Sequence, residues 1–157
     1  MIVIADTSPI NYLVLIDEVE VLPALYGRVL VPPSVCAELR RARASERVRT
    51  WIAHPPPWLE VRAPSRSFDA QLARLDAGER DAILLAEELG ADQLIIDEIR
   101  GRREAERRRL AFTGTLGVLA AAAENGLLDL RSAVDRLRHT NFHVAQNILD
   151  RLIEGQP

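Results

Sequence analysis

Short apolar runs alternate along the chain with longer stretches of helical periodicity. The clearest runs are Ile2–Ala5, Val29–Val31 and Leu94–Ile96, and none of them is interrupted by a polar residue. Such unbroken runs are typical of strands that are buried on both faces, as in parallel sheets. Trp58–Val61 and Ala111–Thr113 are weaker strand candidates.

Capping residues and chain breakers predict helices between these strands. Ser8 is the expected N-cap of the first helix, with Pro9 at its first position, and Asp76 with Glu79 has the spacing of a capping box. The predicted helices cover 10–16, 19–26, a segment opening at Pro33 and carrying Glu38, and then 45–53, 68–75, 76–88, 102–110, 115–125, 130–137 and 144–153.

The alternation of strands and helices predicts an α/β fold with three layers. We expect a parallel sheet of about four or five strands flanked by helices. The 157 residues are enough for one domain with a well-developed core, and no linker or repeat suggests a second. Residues 1–157 are therefore predicted to form a single domain, with about 127–157 as a C-terminal helical extension.

Acidic residues lie where such a fold gathers ligands. Asp6 closes the first apolar run, and Asp97 closes a later one with Glu98 directly after it. Glu38 and Asp81 lie near the starts of predicted helices. Ligands bind beyond the carboxyl ends of the strands in open α/β sheets, so these carboxylates are expected to share a crevice. Crowded carboxylates need a neutralising cation, and their hard oxygens favour Mg²⁺ or Mn²⁺.

The basic residues sharpen this picture. The formal net charge is −3, yet all 20 basic residues are arginine. They concentrate within residues 40–49 and 100–109, each cluster closely following a candidate acid. Guanidinium groups bind phosphate oxygens well, so an acidic metal centre rimmed by arginine would suit a phosphodiester substrate. The same arginines are also compatible with solvated helix faces.

Several segments together resemble the PIN-domain ribonucleases, in particular the VapC-like toxins of prokaryotic toxin–antitoxin pairs. The segments lie in matching order and spacing between residue 1 and about residue 126: Asp6-Thr7-Ser8, 31–39, 78–86, 94–98, 101–105 and 113–119. The four-acid site of that family corresponds to Asp6, Glu38, Asp81 and the Asp97/Glu98 position. Thr7, Ser8, and Thr113 or Thr115 match polar residues near that site, and the resemblance implies that they bind the substrate.

The resemblance implies metal-assisted hydrolysis of RNA. Asp6 and Asp81 are then the expected direct metal ligands, while Glu38 and Asp97, with Glu98 as the alternative to Asp97, act through water or near a second metal. Thr7 or Ser8 would contact the scissile phosphate or orient a carboxylate. Arginines at the mouth, Arg100 and Arg102 among them, would hold the RNA backbone without reading bases.

Other functions stay open at this point. A catalytically degenerate PIN-like module that binds RNA or protein is one alternative, and a structure-specific DNA nuclease is another. Receiver domains and haloacid-dehalogenase-type phosphatases are disfavoured, because both rely on a lysine and this chain has none.

The resemblance also implies partners, namely an RNA substrate and a cognate antitoxin protein, and a homodimer is expected from relatives that self-associate. The single cysteine, Cys36, and the lack of any apolar segment of about 18 residues predict a cytoplasmic protein that does not enter the membrane.

Overall fold

Five parallel strands form the centre of the computed structural model, which describes residues 1–143. The strands are β1 (Val3–Ala5), β2 (Val29–Val31), β3 (Leu59–Val61), β4 (Gln93–Ile95) and β5 (Phe112–Thr113). Their spatial order is β3-β2-β1-β4-β5. The chain therefore builds outward from β1 in one direction and then returns to add β4 and β5 on its other side. The predicted α/β fold with a parallel sheet is confirmed.

Eight α-helices cover the sheet within residues 1–143. They are α1 (Thr7–Leu15), α2 (Val21–Tyr26), α3 (Pro33–Leu39), α4 (Glu46–Ala53), α5 (Ala77–Leu89), α6 (Ile99–Arg107), α7 (Thr115–Glu124) and α8 (Leu130–Arg138). The helix predicted over 144–153 lies outside the described residues, and the proposed extent of the C-terminal extension stays a prediction.

Alternate strand residues supply two separate apolar cores. Val3, Ala5 and Ile95 point into the core that α1, α3, α7 and α8 share. Ile4, Leu94 and Ile96 point into the second core, against α5 and α6. This two-residue alternation with burial on both faces explains why β1 and β2 have no polar positions. Because the two cores lie on opposite faces of the sheet, the three-layer prediction holds.

Several boundaries differ from those predicted. The first helix begins at Thr7 with Asp6 at its N-cap, not after Ser8. Pro9 is compatible with this start because the first-turn N–H groups of a helix have no partner within the helix. Residues 68–75 contain only a short 3₁₀ turn, Leu72–Arg74. Helix α6 begins at Ile99 with Glu98 at its N-cap, three residues earlier than predicted.

Candidate active site

Asp6 and Asp97 follow the two strands that flank the topological switch point of the sheet. Strands β1 and β4 pair in parallel with Ala5 opposite Ile95, and the Asp6 N–H donates to the Ile95 carbonyl at 2.9 Å. Because the chain leaves these two strands in different directions, a crevice opens beyond their carboxyl ends. The fold thus places both carboxylates beside the crevice, as the sequence predicts.

Glu38 reaches the same place from α3. One of its oxygens accepts a hydrogen bond from the Thr7 hydroxyl, and the other accepts from the Gly78 backbone N–H at 3.0 Å. A Cβ atom on Gly78 would lie 2.8 Å from Glu38 Oε2 and 2.9 Å from Asp6 Oδ1. Asp6 and Glu38 therefore pack together against the first turn of α5, where only glycine leaves room. Thr7 orients the Glu38 carboxylate, which is one of the two roles predicted for it.

Asp97 is held by the start of α7. The backbone N–H and the hydroxyl of Thr115 donate to its two carboxylate oxygens, both at 2.7 Å. A Cβ on Gly114 would come within 2.7 Å of Asp97 Oδ1, so this close approach also needs glycine. The hydroxyl of Thr115 thus fixes the Asp97 carboxylate, and the predicted contact of Thr115 with substrate stays a prediction.

Glu79 is an acid of this site that sequence analysis missed. It lies in the first turn of α5, its side chain is only 7% exposed, and Oε2 is 3.1 Å from the position of a Cβ on Gly101. The capping-box interpretation is wrong, because Asp76 occupies the N-cap without a side-chain hydrogen bond and Glu79 faces inward. Apolar Ala82, Ile83 and Ala86 at helical spacing from Glu79 carried the signal that it lies on the buried face.

Burial and mutual repulsion perturb the carboxylates strongly. Desolvation raises the pKa of Asp6 to about 8, and the charges of Glu79, Glu38 and Asp97 act in the same direction. Burial raises the pKa of Glu79 to about 7, helped by the charges of Asp76, Glu98 and Glu38. Burial also raises the pKa of Asp97, although the bonds from Thr115 oppose it. Such a cluster stores electrostatic repulsion that a cation would relieve.

Asp81 lies two residues after Glu79 in α5, beside a cation. Its Oδ1 is 2.8 Å from Arg80 Nε, and the Arg80 guanidinium stacks over Phe68. The carboxylates that act on the pKa of Asp6 are instead Glu79, Glu38 and Asp97. The structure therefore brings three of the four predicted acids together with Glu79, and the metal-ligand role of Asp81 stays a prediction.

Some of the arginines in residues 100–109 border the crevice. Arg102 lies over the Phe112 ring and its positive charge lowers the pKa of Asp97, while Arg100 does the same for Glu79. Arg108, by contrast, is tied to Asp69, Glu87 and Glu104 at 2.7–2.9 Å. The second arginine cluster is therefore divided between residues beside the acids and residues that hold helices together.

The donor set fits a hard divalent cation. Asp6 Oδ1 is buried and has no hydrogen-bond partner, so this carboxylate has an oxygen available for another ligand. Carboxylate oxygens are the preferred ligands of Mg²⁺ and Mn²⁺. Within residues 1–143, no three acidic, histidine or cysteine side chains are arranged around a single point as a metal cage. Coordination of one ion by three of these carboxylates would therefore require side-chain movement.

Comparison with known families agrees with this geometry. A family model described as a PIN domain matches residues 2–155, nearly the whole chain. The chain belongs to the PIN-domain family. PIN domains are generally nucleases that use divalent metals, which accords with a carboxylate cluster at a switch point. No curated protein sequence gives a significant match.

None of the helices within residues 1–143 of this PIN domain has both the length and the apolar character needed to cross a bilayer.

Proposed function

We propose that this PIN domain is a Mg²⁺- or Mn²⁺-dependent endoribonuclease that hydrolyses RNA phosphodiester bonds. The observation that supports it most is the buried Asp6 carboxylate, with an oxygen that has no partner, beside Glu38, Glu79 and Asp97. A structural role explains this cluster poorly, because crowding several carboxylates together in a buried place costs free energy.

The proposal assigns a task to each side chain. Asp6 and Glu79 would hold the metal, since both side chains are buried beside each other's charge and Asp6 Oδ1 has no hydrogen-bond partner. Glu38 would be a further ligand, oriented by Thr7 and Gly78. Asp97 would complete the set in a position fixed by Thr115. A bound ion would supply charge neutralisation at the phosphate and would lower the pKa of an attacking water.

The substrate phosphates would meet the exposed guanidinium groups beside these acids. Arg102 is close to Asp97, and Arg100 is close to Glu79. Arginine binds phosphate with two parallel hydrogen bonds and stays charged at any physiological pH. These two residues would hold the backbone on either side of the acids. Intact acids argue against a degenerate binding module.

A cleavage assay in MnCl₂ tests this function. Wild type is expected to cut structured RNA, while Asp6→Asn should lose at least about 100-fold in rate, because a buried ligand is removed. Asp129→Asn is the matched control, since Asp129 only caps α8 through the Ser132 N–H. Cleavage by Asp6→Asn at the wild-type rate would contradict the site, and cleavage of DNA but not RNA would contradict the substrate.

We propose further that the enzyme is the cytoplasmic toxin of a toxin–antitoxin pair and forms a homodimer. The order and spacing of the PIN segments support this role. Expression of wild type is expected to arrest growth, and co-expression of a small protein encoded by the neighbouring reading frame should relieve the arrest. Light scattering measures the oligomeric state directly. A wild-type protein that leaves growth unchanged would contradict the toxin role.

A further inference from the structure

A cavity of about 510 Å³ adjoins the acidic cluster. It shares Asp97 with that cluster, and Ser8, two residues after Asp6, also lines it. Its volume is within the ordinary range of small-molecule sites, roughly 300–1,000 Å³. A phosphate held at the acids would therefore have its neighbouring nucleoside at the cavity entrance.

Aromatic and aliphatic groups form one side of this cavity. The rings of Tyr12 and Phe142 meet edge to face with centroids 4.9 Å apart, and Leu116 lies beside them in the lining. Ile99, at the N-terminus of α6, also lines the cavity and is 61% exposed. A flat apolar ligand would cover these groups, and bases stack favourably on aromatic rings.

Polar groups that line the cavity would orient such a ligand. The Tyr12 hydroxyl donates to the Asn141 side-chain carbonyl at 3.0 Å, and Asn141 lines the cavity with an amide NH₂ group that this bond does not use. Arg102 lines the same cavity and lies near Asp97. A guanidinium at this boundary would contact the phosphate that joins a bound nucleoside to the scissile position.

We propose that this cavity binds the base and ribose of one unpaired nucleotide next to the scissile phosphate. The proposal rests on the proposed ribonuclease function and adds a base-recognition site to it. The enzyme would then select RNA in which this nucleotide is unstacked, because a base inside a duplex could not enter. Phe142 would provide the stacking surface and Asn141 the hydrogen bonds that distinguish one base from another.

Binding of neutral nucleosides in EDTA tests the cavity apart from catalysis. Adenosine, guanosine, cytidine and uridine are suitable probes, because they carry no phosphate for the metal-free acids to repel. Saturation-transfer NMR is expected to show binding of at least one nucleoside to wild type, with the strongest transfer to base protons. Phe142→Leu keeps the apolar bulk without the ring and should weaken binding about tenfold, the loss of one stacking contact.

Controls separate this site from the proposed catalysis. Leu127→Ala removes another exposed apolar side chain, one that does not line the cavity, and should bind as wild type does. Asp6→Asn should also bind nucleosides normally while losing RNA cleavage. In sequencing of cut sites, Asn141→Ala should relax the base preference beside the cut.

The absence of nucleoside binding by wild type would overturn the proposal, and so would unchanged binding by a folded Phe142→Leu. Loss of a protein partner but not of nucleosides in that variant would also overturn it, in favour of a protein-docking cavity. RNA cleavage without nucleoside binding would refute the cavity alone. Nucleoside binding without cleavage would refute the proposed catalysis and leave a base-binding site.

Discussion

Glu79 and Asp81 are two acids of one helix, and their surroundings assign them different roles. Glu79 is 7% exposed and has a raised pKa, while Asp81 is paired with Arg80. A carboxylate already neutralised by a guanidinium has less need of a metal ion. Glu79 is therefore the stronger candidate for the fourth ligand at the scale of single residues.

Substitution of these two acids gives a direct comparison. Glu79→Gln is expected to lower Mn²⁺ affinity and RNA cleavage by about 10–100-fold, because it removes a buried charge beside Asp6. Asp81→Asn should change both by less than about threefold, since it mainly releases Arg80. Calorimetric titration with MnCl₂ and cleavage rates measure the two effects. The opposite ranking would restore Asp81 as the ligand.

Asp6 should make the stability of the metal-free protein depend on pH. Its pKa is raised from the ordinary value of 3.8 to about 8, so the native state holds a proton that the unfolded chain releases. The stabilisation is complete below about pH 4 and is lost as the pH rises towards 8. The free energy of unfolding in EDTA should therefore fall by more than about 1 kcal/mol between pH 5 and 8.

Urea denaturation at several pH values measures this effect. Asp6→Asn should flatten the decline and make the metal-free protein more stable than wild type at pH 8, because the amide stays neutral. Glu79, with its pKa near 7, would account for part of what remains. A wild-type stability that is constant or rises from pH 5 to 8 would contradict the raised pKa of Asp6.

At the scale of elements, the first turn of α5 is shaped to fit two carboxylates. Glycine is normally unfavourable inside a helix by roughly 0.5–1 kcal/mol relative to alanine. Here a Cβ on Gly78 would lie within 2.9 Å of both Asp6 and Glu38. Glycine at position 78 lowers the intrinsic stability of the helix, but it allows the two acids to approach the helix backbone.

Gly78→Ala tests this close approach. The new methyl group is expected to displace Glu38 from the Gly78 N–H and to reduce Mn²⁺ affinity about tenfold or more. Gly90→Ala, at the other end of α5, is the matched control. Gly90 has φ +61° with no atom within 4 Å, so its substitution should cost about 1–2 kcal/mol of stability and leave metal affinity unchanged. Equal metal affinity for Gly78→Ala and wild type would contradict the packing of the site.

At the scale of the whole molecule, the sequence predicted the sheet well because burial on both faces leaves a simple pattern. Ile2–Ala5 and Leu94–Ile96 have no polar interruption, and parallel strands place Asp6 and Asp97 at one edge. Glu38 was also predicted, through its resemblance to the family segment. The local sequence pattern and the order of the family segments were therefore enough to predict three acids of the site.

The other features of the site depend on tertiary packing, which the local sequence pattern does not reveal. Glu79 fits a capping box in sequence, and only its packing beside Gly101 and its charge interaction with Asp6 give it another role. The hydrogen bonds from the N–H and hydroxyl of Thr115 to Asp97 likewise depend on where α7 begins relative to β4. The cavity brings together Tyr12 and Asn141, which are more than 120 positions apart in the chain. Hydrophobic periodicity cannot predict a contact over that separation.

The central claim is that Asp6, Glu38, Glu79 and Asp97 together form a divalent-cation site. A crystal of the wild-type protein grown at pH 8 and soaked in MnCl₂ tests it most directly. Anomalous scattering is expected to show manganese bound to Asp6 and at least one of the other three carboxylates, with no such peak in Asp6→Asn. Manganese bound only elsewhere, or no ordered manganese at a concentration that supports cleavage, would contradict the account.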